Sequence, residues 1–149
     1  AVCEASGVGI ANLNCPGQIV ISGENGALQK AVARAKELGA RRAIPLKVAG
    51  AYHSVVMRSA QERMRKELEA VTISRPRIPV YANVSAKPLT DPEEIRASLA
   101  AQICSPVLWE DSVSALGSAK YFEFGPGKVL AGLVRKIDEK AEVVSIEGP

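Results

Sequence analysis

An α/β fold built on a parallel or mostly parallel sheet is what this sequence predicts. Three observations carry that prediction. Short runs rich in β-branched residues alternate with stretches whose apolar residues recur every three or four positions; turn residues separate the two; and 47% of the 149 residues are hydrophobic, enough to bury a core. No apolar run approaches the ~18 to 20 residues that a membrane span requires, so no membrane partner is expected.

Residues 8 to 14 alternate polar and apolar, Cys15-Pro16-Gly17 supplies turn chemistry, and Gln18 to Ser22 is β-branched, which predicts a hairpin. From Asn25 to Leu38 the residues Ala27, Leu28, Ala31, Val32, Ala35 and Leu38 keep helical spacing, and Gly39 suits the left-handed position beyond a helix end. Arg42 to Leu46 reads as a short strand whose proline suits an edge. The order β-β-α-β over residues 8 to 47 is what a ferredoxin-like β-α-β-β-α-β unit leaves when its first strand and helix are removed. A second block begins near Val48, with a helix over about 54–71 in which Ser54 reads as the cap, and a strand around 80–84. Asp91 is placed to cap the next helix, with Pro92 at its first position and Glu94 three residues after the cap. That helix runs to about Ile103. A shorter helix at 109–116, a strand at 120–124, a helix at 128–137 and a strand near Val143 complete the chain. Trp109, Phe122 and Phe124 read as core aromatics.

The N-terminus, Ala1 to Ser6, lacks an initiator Met, a positive n-region and an apolar h-region, so it reads as neither a signal nor a natural start, and a piece of a longer chain is expected. Net charge is +3, but residues 30 to 47 carry six bases against the single acid Glu37. This local +5 patch is either a solvated face or a docking surface for an acidic partner or phosphate. No like-charge run or interleaving of bases with aromatics points to nucleic acid. Cys3, Cys15 and Cys104 are odd in number and lack C-x-x-C spacing, which predicts free thiols, a reducing cytoplasmic setting and no metal site.

His53 is the only histidine, on a glycine-containing turn between a strand region and a helix. It is either a hydrogen-bonded structural residue or a general base. Tyr52 and Ser54 do not become catalytic by adjacency to it. Gly125-Pro126-Gly127-Lys128 opens a helix and could receive an anion, but its spacing is not that of a phosphate loop and Val129 follows the lysine, so a tight turn is the expected role.

Six segments in order, 12–23, 39–46, 50–54 with Met57, 79–84, Gln102 with Pro106-Val107 and Trp109, and 123–130, resemble the malonyl-CoA:acyl carrier protein transacylases and the related acyltransferase domains of polyketide and fatty acid synthases. The resemblance implies the C-terminal part of an α/β-hydrolase-like large subdomain (48–149) and the end of a ferredoxin-like small subdomain (1–47), with the site in the cleft between them. It implies ping-pong transfer of malonyl from coenzyme A, through a serine ester, to the phosphopantetheine thiol of an acyl carrier protein, with no permanently bound cofactor.

His53 matches the family's catalytic histidine, and the backbone carbonyl of Gln102 matches the group that orients it in place of a carboxylate. Tyr52 stands where malonyl-preferring members usually have Phe. Asn12 and Asn14 match asparagines near the acyl-CoA cleft. Lys36, Arg41 and Arg42 are candidate docking residues for the acidic carrier protein. The family's Gly-Gln-Gly-Ser motif, its Gly-His-Ser-x-Gly nucleophile elbow and its carboxylate-pairing arginine have no match within the 149 residues. The resemblance therefore predicts a missing N-terminal segment of the same enzyme as a partner, and an inactive chain without it. The alternative is a non-catalytic carrier-protein-binding module that uses the patch at 30–47.

Overall fold

The structure, a computed structural model, describes residues 2–148; Ala1 and Pro149, and the expectation drawn from the Ala1 start, lie outside the described residues. The order is α1 (Val2–Ser6), β1 (Gly9–Cys15), β2 (Gln18–Ser22), α2 (Asn25–Glu37), a 3₁₀ turn (Val55–Met57), α3 (Arg58–Glu69), β3 (Val80–Tyr81), β4 (Pro88–Leu89), α4 (Pro92–Ala101), β5 (Val107–Leu108), α5 (Trp109–Leu116), β6 (Lys120–Phe124), α6 (Val129–Ile137) and β7 (Glu142–Ile146). The fold is mixed α/β. The strands do not form one mostly parallel sheet, however: β2-β1-β5, β3-β4 and β6-β7 are separate, with β1-β5 and β6-β7 parallel and the other two pairs antiparallel.

The elements with strong local signals form as expected. Gly17 turns the β1-β2 hairpin at φ 78°, and two register shifts, between Ile10 and Asn12 and between Leu13 and Cys15, increase its twist. Helix α2 ends in a Schellman motif. Gly39 takes φ 87°, its N–H donates to the Lys36 carbonyl at 3.0 Å, and the Ala40 N–H reaches back to Ala35 at 2.9 Å. Asp91 accepts from the amides of Glu93 and Glu94 at 2.9 and 3.0 Å, a cap worth about 1 kcal/mol.

The non-local expectations fare differently. Residues 42–48 form no strand: Pro45 has no N–H to offer a ladder, no strand among the described residues lies alongside, and Ile44, Leu46 and Val48 are exposed. The β-β-α-β reading of residues 8 to 47 thus lacks its last strand. The strand expected over 80–84 stops at Tyr81, because Ala82 opens a turn in which its carbonyl accepts from Ser85 and Ala86 before the chain returns as β4. Ser54 precedes the 3₁₀ turn, but its hydroxyl makes no cap.

Phe122 and Phe124 are not core residues. They are 53% and 77% exposed on the face of β6-β7 that also carries Lys120, Val144 and Ile146. The true core is built from small side chains, among them Ala11, Cys15, Ala31, Ala100, Val113, Ala131 and Val134, with α5 and α6 packed against β1. All three cysteines are free thiols. No helix among the described residues is long and apolar enough to cross a membrane.

The opposite face of β6 carries a carboxylate that joins three elements. Glu123 Oε2 accepts from Ser145 Oγ on β7 at 2.7 Å, and Oε1 accepts from the Leu130 amide at the start of α6 at 2.9 Å. The Ser145 bond chiefly holds this carboxyl below its ordinary value of 4.5, opposed by desolvation and helped by the Leu130 and Ala131 amides and the Arg135 charge. A carboxyl depressed in the folded state stabilises the fold above its ordinary range, and that contribution is lost as pH falls through the folded value. Thermal melts followed by circular dichroism should therefore show the midpoint falling as pH drops below about 4.5, and Glu123→Gln should flatten this part of the profile.

Candidate functional site

His53 stands in a turn between the exposed 42–48 segment and α3. Its backbone is left-handed, φ 58°, which is uncommon for a residue with a side chain and persists only where surrounding contacts enforce it. Those contacts come from the loop between α4 and β5. The His53 amide donates to the Ile103 carbonyl at 3.2 Å, and the ring Nδ1 lies 2.8 Å from the Gln102 carbonyl and 3.1 Å from that of Ser105. Carbonyl oxygens only accept, so Nδ1 carries the hydrogen. In the neutral ring, Nε2 is then the nitrogen with a free lone pair.

His53 borders a cleft of about 510 Å³. One wall is Gly7 to Ile10 and Ser22 to Glu24, at the open end of the β1-β2 hairpin; the other is His53 to Val56 with Cys104 and Pro106. The first wall depends on small residues. A Cβ at Gly23 would come within 3.1 Å of Val8 Cγ1, so a side chain there would require Val8 to give by a few tenths of an ångström.

Ser54 also borders the cleft, but its hydroxyl donates to the Ala51 carbonyl at 2.6 Å and makes no bond to His53. It is not the activated partner of the histidine. Gln102 is brought to His53 by its carbonyl, while its side-chain Oε1 accepts from Asn83 Nδ2 at 3.5 Å.

The other residues singled out in the sequence do not converge on this point. Tyr52 is half exposed, its ring lying over Gly50, where a Cβ would be 3.5 Å from Cζ. Asn12 and Asn14 lie on β1 outside the cleft lining, Asn12 at the register position between Val20 of β2 and Val107 of β5. Lys36 is in the last turn of α2, and Arg41 and Arg42 follow it; all three are exposed and make no ion pair among the described residues, whereas Arg34 pairs with Glu37 at 2.8 Å. At the 125–128 turn, the Leu130 amide at the start of α6 donates to Glu123, so that donor is not free for an anion. Among the described residues no group of three or more His, Cys, Asp or Glu is placed to hold a metal.

Sequence reasoning missed the Ile103 and Ser105 carbonyls and the glycine wall. Backbone carbonyls leave no side-chain signature, and only Pro106 marks the loop that presents them. The geometry predicts that long-range ¹⁵N–¹H spectra of the neutral form will show His53 with a protonated Nδ1 and an unprotonated Nε2; the reverse tautomer would contradict the carbonyl pairing.

A family model described as acyl transferase domain matches residues 2–130. The chain is 44% identical over 149 residues to the malonyl CoA-acyl carrier protein transacylase of Bacillus subtilis strain 168, covering 98% of this chain and 47% of that protein. An acyl carrier protein S-malonyltransferase from Vibrio cholerae superposes with a TM-score of 0.95 at 38% identity, over 99% of this chain and 51% of the other. A type II PKS acyl-carrier protein in complex with its malonyl-transacylase gives a TM-score of 0.93 at 33% identity, over 99% and 50%. The chain thus spans about half the length of the curated relatives it matches.

Proposed function

The chain belongs to the acyl transferase domain family, and from that membership we propose that it supplies the general base of a malonyl-CoA:acyl carrier protein transacylase. The observation that supports this reading is the His53 Nδ1 bond to the Gln102 carbonyl at 2.8 Å, which leaves Nε2 as the basic nitrogen at a cleft.

In the proposed reaction, a serine from outside these 149 residues gives its proton to His53 Nε2 and attacks the malonyl thioester. The ring returns the proton to the departing coenzyme A sulfur. In the second half-reaction His53 takes the proton of the carrier protein's phosphopantetheine thiol, which attacks the serine ester, and hands it to the released serine oxygen. No resident cofactor enters either half, and by itself the chain is expected to be inactive, since among the described residues no serine, threonine or cysteine side chain is hydrogen-bonded to His53. Fatty acid and polyketide assembly both consume such a product.

Further roles extend the same reading. The Tyr52 ring would narrow the acyl pocket against a branched chain, a discrimination of about 1 to 3 kcal/mol for one methyl. Asn12 and Asn14 would bond the thioester arm or hold the loop beside it. Lys36, Arg41 and Arg42 would meet the acidic carrier protein. A division at 47/48 into the end of a small ferredoxin-like subdomain and part of an α/β-hydrolase-like one would fall within the exposed 42–48 segment, with the β1-β5 pairing as the junction. The non-catalytic module is the less favoured reading, since the relatives described above are named for acyl transfer.

Two experiments in the complete enzyme test these assignments. His53→Asn, chosen because Asn tolerates the left-handed backbone, should lower serine malonylation by about 10² to 10⁴-fold with the fold retained; near-normal turnover would remove His53 from the role. Arg41→Glu with Arg42→Glu should raise the carrier-protein concentration needed for transfer by roughly tenfold at low salt, less at high salt, and leave malonylation from coenzyme A unchanged. Equal loss in both half-reactions would show that the patch serves another purpose.

A further inference from the structure

We infer that Ser54 is a positioning residue for His53, acting through a hydroxyl that closes the turn on which the histidine stands. The inference rests on the reading of His53 as the base. Ser54 is 4% exposed and its backbone is extended, φ −135° and ψ 164°. A serine immediately before a helical turn ordinarily bends its oxygen forward to accept from the free amides of that turn. Here the hydroxyl does the opposite: it makes no cap and donates backward to the Ala51 carbonyl at 2.6 Å.

That bond spans Tyr52 and His53. It closes the loop around the one residue of this turn with a left-handed backbone, which costs a residue with a side chain about 1 to 2 kcal/mol. Three sets of contacts hold the ring against that cost: the His53 amide on Ile103, the two Nδ1 bonds to the carbonyls of Gln102 and Ser105, and the Ser54 hydroxyl on Ala51. The first two reach across to the α4-β5 loop. Only the third fixes the turn from within, and in a buried position no water competes for it. Without it the turn can relax toward an ordinary right-handed or extended backbone, and the ring then leaves the carbonyls that fix its tautomer.

The test uses Ser54→Ala and Ser54→Thr in the complete enzyme. Thr keeps the hydroxyl, and its branched Cβ suits an extended backbone. Ser54→Ala should lower kcat for serine malonylation by about ten- to a hundredfold with KM little changed, the scale expected for a misplacement of about 1 Å. It should also replace the single Nδ1–H tautomer of His53 by a mixture in ¹⁵N spectra, and Ser54→Thr should restore most of the rate and the single tautomer. A Ser54→Ala enzyme with unchanged kcat and tautomer overturns the inference, as does equal loss in the Ala and Thr variants. If His53→Asn left turnover intact, the base reading would fall, and the tautomer comparison would still decide whether Ser54 holds the ring.

Discussion

The hydrogen bond from His53 Nδ1 to the Gln102 carbonyl joins segments 49 residues apart, and the arrangement of the site depends on it. Its net worth is of the order of 1 kcal/mol, yet it decides which ring nitrogen holds the hydrogen. Much of the surrounding structure serves to place that one oxygen. Asp91 fixes where α4 begins, the Arg96 guanidinium ties α4 to α3 through the Leu68 carbonyl, and Gln102 is the residue at which α4 ends. On the far side of the loop, Leu108 donates to the Asn83 carbonyl at 2.8 Å and β5 lies parallel to β1, so the oxygens of residues 102, 103 and 105 are held between two anchored ends.

An orienting carbonyl differs physically from an orienting carboxylate. It fixes the ring but supplies no full charge to stabilise the imidazolium formed during proton transfer. Two carbonyls share this ring hydrogen, so in the proposed reaction dipoles would stand where a triad has one negative charge. Such a site would rely more on geometry, and at His53 the left-handed backbone is held by contacts on both sides.

What the sequence disclosed divides by the range of the forces involved. The Gly17 hairpin, the Gly39 helix end and the Asp91 cap are decided by residues within a few positions of one another, and each was legible. The 42–46 strand was not, because β-branched composition records a willingness to pair and says nothing of a neighbour to pair with. Of the two-residue strands, β3 fell inside the stretch that reads as a strand at 80–84, whereas β4 and β5 are below the length at which alternation is visible. At the candidate site, His53 and the Gln102 carbonyl were accessible through resemblance, and the structure places them in contact. Ser54 was misread as a cap because the sequence shows that a hydroxyl is present but not which way it turns.

The open face of β6-β7 affects how the molecule behaves in solution. Phe122 and Phe124 lie beside Val144 and Ile146, and the charged strand residues on this face among the described residues, Lys120 and Glu142, pair with each other at 2.6 Å at one end. With those two charges paired, the face is largely apolar, and contiguous apolar patches of this kind are what soluble proteins cover or lose to self-association. By that principle the two exposed phenylalanines are expected to weigh more on the behaviour of the isolated chain than its net charge of +3.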